Sequence, residues 1–305
     1  MTADFAAVDW GTSSFRLWLM GFDGQVYGES RGSEGMQHCT TAGFAPVLED
    51  HLDRAGAAPG LRVLICGMAG ARQGWVEAPY ADLPAPVTAL AAQAVQLAAD
   101  KAGDREIRIL PGLAQRDPAA PDVMRGEETQ LLGMARDGIE GLVCMPGTHC
   151  KWARLEGGAV TGFKSYMTGE LFELLRRQSI LRHAMPDEGR FAPDDPAFVA
   201  ALDQAIADPA MLPGALFGLR AGQLLDFSTR EQALARLSGL LIGAEVGREA
   251  ALAAPAHITL VGQEGLGALY AAALERAGYA LNITDAETAS RQGLLAAAIE
   301  IWGKK

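Results

Sequence analysis

At 305 residues the chain is longer than one hydrophobic core usually fills, about 250–300 residues, so two packed domains are expected. Its formal charge of −11 excludes general binding to nucleic acid or to an anionic membrane, either of which needs a net basic face. No apolar stretch reaches the ~18 residues that span a bilayer, and the start MTADFAAVDWG has neither a basic leader nor a signal-peptide core, which points to a cytoplasmic protein with no membrane partner.

Three strands are expected at 5–9, 15–20 and 25–29, joined by WGTSS and GFDG, and FRLWLM at 15–20 is apolar enough to be buried on both faces. Residues 43–55 and 86–101 have helical periodicity, and RVLICG at 62–67 reads as a strand running into a glycine-rich loop. A short strand at 107–110 precedes PGLAQRDPAAPD, whose prolines mark a loop. MRGEETQLLGMARDG at 124–138 reads as a helix whose acidic first turn suits the positive end of the helix dipole. The domain boundary is expected beside it, giving domains of 1–125 and 126–305.

A second strand–turn–strand–turn–strand unit runs through 142–163, and Thr168 is the expected N-cap of a helix over ELFELLRRQSILRHAM. Helical periodicity then fills 196–207 and 213–251. HITLVGQEGLGALYAAALERAGY reads as strand, glycine turn and helix, and ASRQGLLAAAIEIWG as a closing amphipathic helix free to pack back on the first domain. The four cysteines, Cys39, Cys66, Cys144 and Cys150, form no CxxC pair and have no histidine at zinc-finger spacing, so they read as reduced thiols.

The two meanders align. Asp9-Trp10-Gly11-Thr12-Ser13 falls over Met145-Pro146-Gly147-Thr148-His149, each at a strand end and each followed by strand, turn and strand. Glycine lets backbone N–H groups approach a ligand closely, and the neighbouring hydroxyls add donors, so each turn suits phosphate oxygens. A single such turn is ordinarily just a hairpin; the duplication argues for two facing turns that clamp a polyphosphate. Asp9, a carboxylate at a buried strand end, needs a partner, and Mg²⁺ is the natural one beside phosphate. Of only five lysines, Lys151 and Lys164 fall in or beside the second meander, where Lys151 is placed to neutralise phosphate charge. No GxxxxGK[ST] occurs, which excludes P-loop kinases.

The two hairpins resemble the phosphate-1 and phosphate-2 motifs of the actin, Hsp70 and sugar-kinase superfamily, and VGQEGLGALY resembles its adenosine motif. More narrowly, VDWGTSSFRLW, GWVEAPY, MRGEETQLLG, MPGTHCKW, MTGEL and SGLLIGAEV resemble the 2-dehydro-3-deoxygalactonokinase family along nearly the whole chain. The resemblance implies an α/β fold of two ribonuclease-H-like, actin-like ATPase domains with ATP and Mg²⁺ in an interdomain cleft. It also implies ATP-dependent phosphorylation of 2-keto-3-deoxy-galactonate at its 6-hydroxyl. The second phosphate motif departs from the superfamily in carrying Met145 where an acid is usual, so Asp9 becomes the main carboxylate for Mg²⁺.

On this reading Gly11, Thr12, Ser13, Gly147, Thr148 and His149 hold the phosphates, and Gly262, Gln263 and Gly265, opening a helix after a strand, face the adenosine. His149 could also donate to the substrate. The candidate bases are Glu127 and Glu128, since RGEE also resembles the Glu-Glu helix start of exopolyphosphatases; Asp9 competes with them, and ordinary first-turn acids are the alternative. Arg72, Gln73 and Trp75 sit on a loop after a strand, where Arg72 is placed to grip the substrate carboxylate, with Arg16 and Arg125 as equal competitors. Trp75 suits packing better than sugar stacking. A kinase of the gluconate epimer, an exopolyphosphatase-like hydrolase and a non-catalytic sensor remain as alternatives, and the sequence is compatible with a homodimer.

Overall fold

A computed structural model describes residues 2–252, 257–262 and 264–303. The chain opens with β1 (Phe5–Trp10), β2 (Phe15–Met20), β3 (Val26–Gly32), α1 (Met36–Ala42), α2 (Phe44–Ala55) and β4 (Arg62–Gly67). Then come β5 (Tyr80–Asp82), β6 (Ala85–Pro86), α3 (Val87–Ala92), β7 (Val95–Gln96), α4 (Ala99–Ala102), β8 (Ile107–Ile109), β9 (Gly112–Gln115), β10 (Asp122–Met124) and α5 (Glu127–Arg136). The remainder is β11 (Gly141–Met145), β12 (Cys150–Glu156), β13 (Ala159–Tyr166), α6 (Thr168–Gln178), α7 (Pro196–Ala207), α8 (Leu212–Leu224), α9 (Arg230–Leu252), β14 (His257–Val261), α10 (Leu266–Arg276), β15 (Ala280–Thr284) and α11 (Ala286–Trp302).

By its contacts the chain divides into two compact α/β units. The first runs through Glu140 and takes in Arg154–Phe163 and everything from Ala286 onward; the second is Gly141–Ala153 with Lys164–Asp285. Helix α5, read from sequence as the head of the second domain, therefore belongs by packing to the first. The physical reason is its contact with α11: a Cβ on Gly293 would stand 1.8 Å from the Thr129 carbonyl, and one on Gly133 would stand 2.2 Å from that of Ala289, so the two helices touch backbone to backbone.

The sheet of the first unit has the order β3-β2-β1-β4-β8-β7, with β1, β4 and β8 parallel. Alternation along β1 divides its residues between two cores: Ala6, Val8 and Trp10 join Leu48 and Leu52 of α2 on one face, while Phe5 and Ala7 join Leu294 and Leu295 of α11 on the other. Burial on both faces is what the apolar run FRLWLM requires. Two-pronged contact of Arg31 with Glu287 at 2.6 Å, and donation by Trp302 Nε1 to Glu106 at 3.0 Å, hold the ends of α11 in place. A three-stranded sheet, β10-β9-β5, leads the chain into α5.

In the second unit β15, β14 and β11 are parallel neighbours, followed in the sheet by the parts of β12 and β13 that belong to this unit, Cys150–Ala153 and Lys164–Tyr166. Helices α7 and α9 pack closely because α9 presents Gly239, Gly243 and Gly247 one turn apart, each with no room for a Cβ against the α7 carbonyls of Phe198, Leu202 and Ile206.

Several expected helices are shorter than their periodicity. The run 86–101 is broken, because Val95–Gln96 leaves helix to pair antiparallel with β8 at the sheet edge. The run after Thr168 stops at Ser179, whose hydroxyl donates to the Leu175 carbonyl and accepts from Leu181 N–H. The run 213–251 is two helices parted at 225–229, where Asp226 takes φ 58°. Thr168 is not the cap of α6. Met167 holds that position, and the Thr168 hydroxyl instead donates to Glu245. Among the described residues no helix is long and apolar enough to cross a membrane.

Candidate active site

In the first unit the ends of β1 and β4 lie side by side, with Asp9 opposite Cys66 and Trp10 opposite Gly67. Gly67 has φ +88° and lies so close to Trp10 that a Cβ would stand 2.6 Å from its carbonyl oxygen. Gly126, at φ +107°, brings the start of α5 over this point, within reach of the Gly67 Cα. Two strand ends and one helix start thus converge, and three carboxylates arrive with them.

Asp9 projects from β1 with its side chain 19% exposed; Arg16, its cross-strand partner, lies 3.7 Å away and the Ser290 hydroxyl donates to it at 3.3 Å. Burial pushes the Asp9 carboxyl above its usual range, Arg16 and Ser290 oppose that rise, and the charge of Glu127 reinforces it. Glu127 is half-buried and accepts from Arg125 N–H at 3.2 Å. Glu128 is completely buried, accepts from Gly126 N–H at 2.6 Å and contacts the Thr129 hydroxyl at 3.1 Å. Desolvation first, and then the neighbouring Glu127, raise its pKa to about 8. Of the two glutamates, Glu127 alone has a surface that a ligand could touch.

Arg125 donates from Nη2 to the Ala78 carbonyl at 2.9 Å and lies 4.4 Å over the Tyr80 ring, while its Nε and Nη1 are buried without a hydrogen-bond partner. Arg72 is different: it is 81% exposed and contacts Glu77 at 3.4 Å. Gln73 is exposed beside it. Trp75 stacks on Phe44 and packs against the first core, a packing role.

The first Gly-Thr turn is closed by Gly11 N–H on the Ser14 carbonyl, and Thr12 and Ser13 are exposed. It is braced from behind. Met36 and Gln37, at the start of α1, donate backbone N–H groups to the carbonyls of Gly11 and Thr12 at 3.0 and 3.1 Å, and a Cβ on Gly35 would stand 2.4 Å from the Thr12 oxygen. In the second unit the start of α6 does the same for the second turn: Glu170 N–H donates to the Thr148 carbonyl at 2.9 Å, and a Cβ on Gly169 would stand 2.5 Å from the Gly147 oxygen. The duplication extends from the turns to the helices that hold them, with Gln37 and Glu170 in equivalent places.

His149 Nε2 pairs with the Glu170 carboxylate at 2.5 Å on the exposed side of the turn. Lys151 is only 4% exposed and its Nζ donates to the His149 carbonyl at 3.1 Å, so it holds the turn from beneath. The second turn forms one wall of a cavity of about 490 Å³ within the unit, lined also by Glu170, Phe172, Arg176, Leu266 and Tyr270. Gly262 and Gly265 have φ +96° and +56° ahead of α10, whose Leu266 and Tyr270 reach the cavity; Gln263 lies outside the described residues.

One anchor of this cavity escaped the sequence reading. Glu245, buried in the middle of α9, accepts from Trp152 Nε1 and the Tyr270 hydroxyl at 2.7 Å each, and from the Thr168 hydroxyl. It ties β12, α6 and α10 to α9. Its signal in the sequence was a lone acid inside the apolar run SGLLIGAEV.

Residues 9–297 match the family described as 2-keto-3-deoxy-galactonokinase. A probable 2-dehydro-3-deoxygalactonokinase of Rhizobium meliloti (strain 1021) is 50% identical over 301 residues, 98% of this chain and 97% of its own. The 2-dehydro-3-deoxygalactonokinase of Escherichia coli (strain K12) is 37% identical over 298 residues, 96% and 97% of the two chains. A crystal structure of a Sinorhizobium meliloti protein described by the same activity superposes with TM-score 0.92 at 50% identity, covering 99% of this chain and 98% of that one. Component A of the (R)-2-hydroxyglutaryl-CoA dehydratase of Acidaminococcus fermentans, at 13% identity and TM-score 0.52 over 97% and 96% of the chains, shares the fold alone. With an α/β fold of paired ribonuclease-H-like domains and a family match over almost its whole length, the chain belongs to the 2-keto-3-deoxy-galactonokinase family of sugar-acid kinases.

Proposed function

We propose that the protein transfers the γ-phosphoryl group of ATP to the 6-hydroxyl of 2-dehydro-3-deoxy-D-galactonate. The observation that carries this reading is the convergence of Asp9, Glu127 and Glu128 where β1, β4 and α5 meet, one residue from the first Gly-Thr turn. Phosphoryl transfer asks the protein mainly to position the groups and stabilise charge, together with one carboxylate to orient the attacking hydroxyl.

Glu127 takes the role of that base. It is accessible, and it accepts the hydroxyl proton as the sugar oxygen bonds to the γ-phosphorus and the bond to the ADP oxygen breaks. Glu128 is a positioning residue: with a pKa near 8 it is largely protonated at neutral pH, and its contact with Gly126 N–H fixes the start of α5. The exposed hydroxyls of Thr12 and Ser13, and the Gly147-Thr148 turn with His149, receive phosphate oxygens. Lys151 contributes positive charge beneath the second turn.

Mg²⁺ prefers oxygen ligands, and an aspartate whose ionisation is opposed by burial and by Glu127 is relieved by a cation; Asp9 therefore fits the metal. The buried set Cys144, Cys150 and Glu245 does not fit it, because two ligands are soft sulfurs and the carboxylate already accepts from three donors. When bound, Mg²⁺ neutralises charge on the phosphates.

The substrate carboxylate is assigned to Arg125 ahead of Arg72 and Arg16. A buried guanidinium with two unpartnered nitrogens gains most from an anion, whereas Arg72 is solvated and Arg16 already faces Asp9. A coupled ADP-release assay with Mg²⁺ tests the reading in three arms: the galactonate compound, its gluconate epimer and no acceptor. Turnover well above the others on the galactonate compound is expected. Equal ADP release without acceptor would make the protein a phosphohydrolase and overturn the proposal.

A further inference from the structure

A second cavity in the second unit, about 650 Å³, lies beyond the C-terminal turn of α6 and is lined by Arg176, Arg177, Arg182, His183, Asp187 and Arg230. Four guanidinium groups around one space are notable in a chain whose formal charge is −11. The acids nearby do not cancel them. Glu173 pairs with Arg177 at 2.6 Å and with Arg176 at 3.6 Å, and Asp187 is the only acid in the lining.

Two features leave part of this charge unsatisfied by the fold, although Arg230 Nη2 donates to the Met185 carbonyl. Arg176 is only 12% exposed and its Nε is buried with no hydrogen-bond partner, although Nη2 reaches the Asp187 carbonyl. Arg230 is the first residue of the 23-residue α9, the end at which a helix dipole is positive and an arginine is disfavoured. An anion in the cavity would satisfy the first group and offset the second.

We infer that this cavity is a second anion site, for a compact phosphate anion carrying two or more charges, and that it is coupled through α6 to the cavity beside the second turn, which on the proposed function holds the nucleotide. The coupling follows from the place of that helix. Arg176 and Arg177 line both cavities, and the seven helical residues 170–176 lead back to Glu170, whose N–H holds the carbonyl of Thr148. An anion that draws the arginines toward the second cavity thereby acts on the turn that receives phosphate. The anion site itself does not depend on the assignment of base or sugar; only the coupling uses the nucleotide cavity.

The test is calorimetric titration of the full-length protein with pyrophosphate, the nucleotide cavity first saturated with ADP and ionic strength matched with potassium chloride. One equivalent of pyrophosphate is expected to bind. Arg182→Ala removes an exposed arginine outside the nucleotide cavity, so its ADP affinity and its turnover without pyrophosphate stay at wild-type values while pyrophosphate affinity falls about tenfold or more. Arg230→Gln repeats the test on the opposite wall. Pyrophosphate is also expected to change the Kd for ADP, and ADP that for pyrophosphate, by the same factor. Absence of binding to the ADP-saturated protein, or binding unchanged in both variants, overturns the site; an ADP affinity indifferent to pyrophosphate overturns the coupling. Failure of ADP to bind at all would instead count against the kinase reading.

Discussion

Glu128→Gln separates the two glutamates of α5 by their protonation. Desolvation pushes the Glu128 carboxyl up to about 8, against 4.5 for an unburied glutamate. The native state therefore holds this proton more tightly than the unfolded chain does. The stabilisation is fully present below the unfolded value and is lost as pH rises through the native one, so the window runs from roughly pH 4.5 to 8. Each pKa unit corresponds to ~1.4 kcal/mol, which sets an upper figure of ~5 kcal/mol for the loss across that window. Glutamine is neutral at every pH, offers its oxygen to Gly126 N–H and its amide to the Thr129 hydroxyl, and so copies the protonated acid. Urea unfolding at pH 5, 6, 7 and 8 should give two curves that nearly meet at pH 5 and diverge upward, with the variant the more stable at pH 8. Other raised carboxyls, such as Asp9, tilt both curves alike, so the difference isolates Glu128. Parallel curves, or a variant destabilised most at pH 8, would refute a buried neutral Glu128. Turnover of the same variant should stay within about tenfold of wild type, since a protonated carboxyl is not the base.

Glu127→Gln keeps shape and removes the proton acceptor; kcat should fall by about 10²–10⁴ with little change in stability, read from steady-state rates alongside a melting curve. Gly169→Ala places a methyl 2.5 Å from the Gly147 oxygen and 2.9 Å from the Thr148 Cα, so the KM for ATP should rise more than kcat falls. Glu245→Ala leaves the Trp152 indole, the Tyr270 hydroxyl and the Thr168 hydroxyl without their shared acceptor. It should cost about 3–5 kcal/mol in urea unfolding, and the ATP KM should rise because Thr168 and Tyr270 line the cavity beside the second turn, the proposed nucleotide site. Arg125→Gln should raise the KM for the sugar acid and leave that for ATP unchanged in the coupled assay.

Local features of the fold were readable because they are written in adjacent residues. The two meanders appear as two triplets of strands, β1-β2-β3 and β11-β12-β13, since alternation and turn glycines act over a few positions. Facts that depend on distant chain were not readable. Nothing in MRGEETQLLG says that α5 will lie against α11; that follows from Gly133 and Gly293, about 160 positions apart and each harmless to read as helical filler. Periodicity likewise ran 86–101 together as one helix, because a two-residue edge strand is decided by the β8 it joins and not by its own sequence. Among the proposed site residues, Asp9, Glu127 and the two turns are legible in motif and resemblance. The choice of Arg125 over Arg72 rests on burial, which sequence does not carry.

The equivalent braces behind the two turns explain why the glycines at 35 and 169 matter as much as those at 11 and 147. A turn that receives phosphate must point its N–H groups and hydroxyls outward, which leaves its carbonyls facing inward and in need of donors. In both halves the donors are the first free N–H groups of a helix, the groups that a helix leaves unpaired at its N-terminus. That solution requires the helix start to touch the turn, and contact at 2.4–2.5 Å from a would-be Cβ excludes any side chain there. Where the halves differ is outside the turn: the second adds His149 and Glu170 paired on its exposed side and Lys151 beneath, while the first carries only Thr12 and Ser13. The second turn is therefore bordered by charged groups of α6 and β12, whereas the first has the carboxylates of β1 and α5 beside it, an asymmetry that fits the proposed division between nucleotide holding and chemistry.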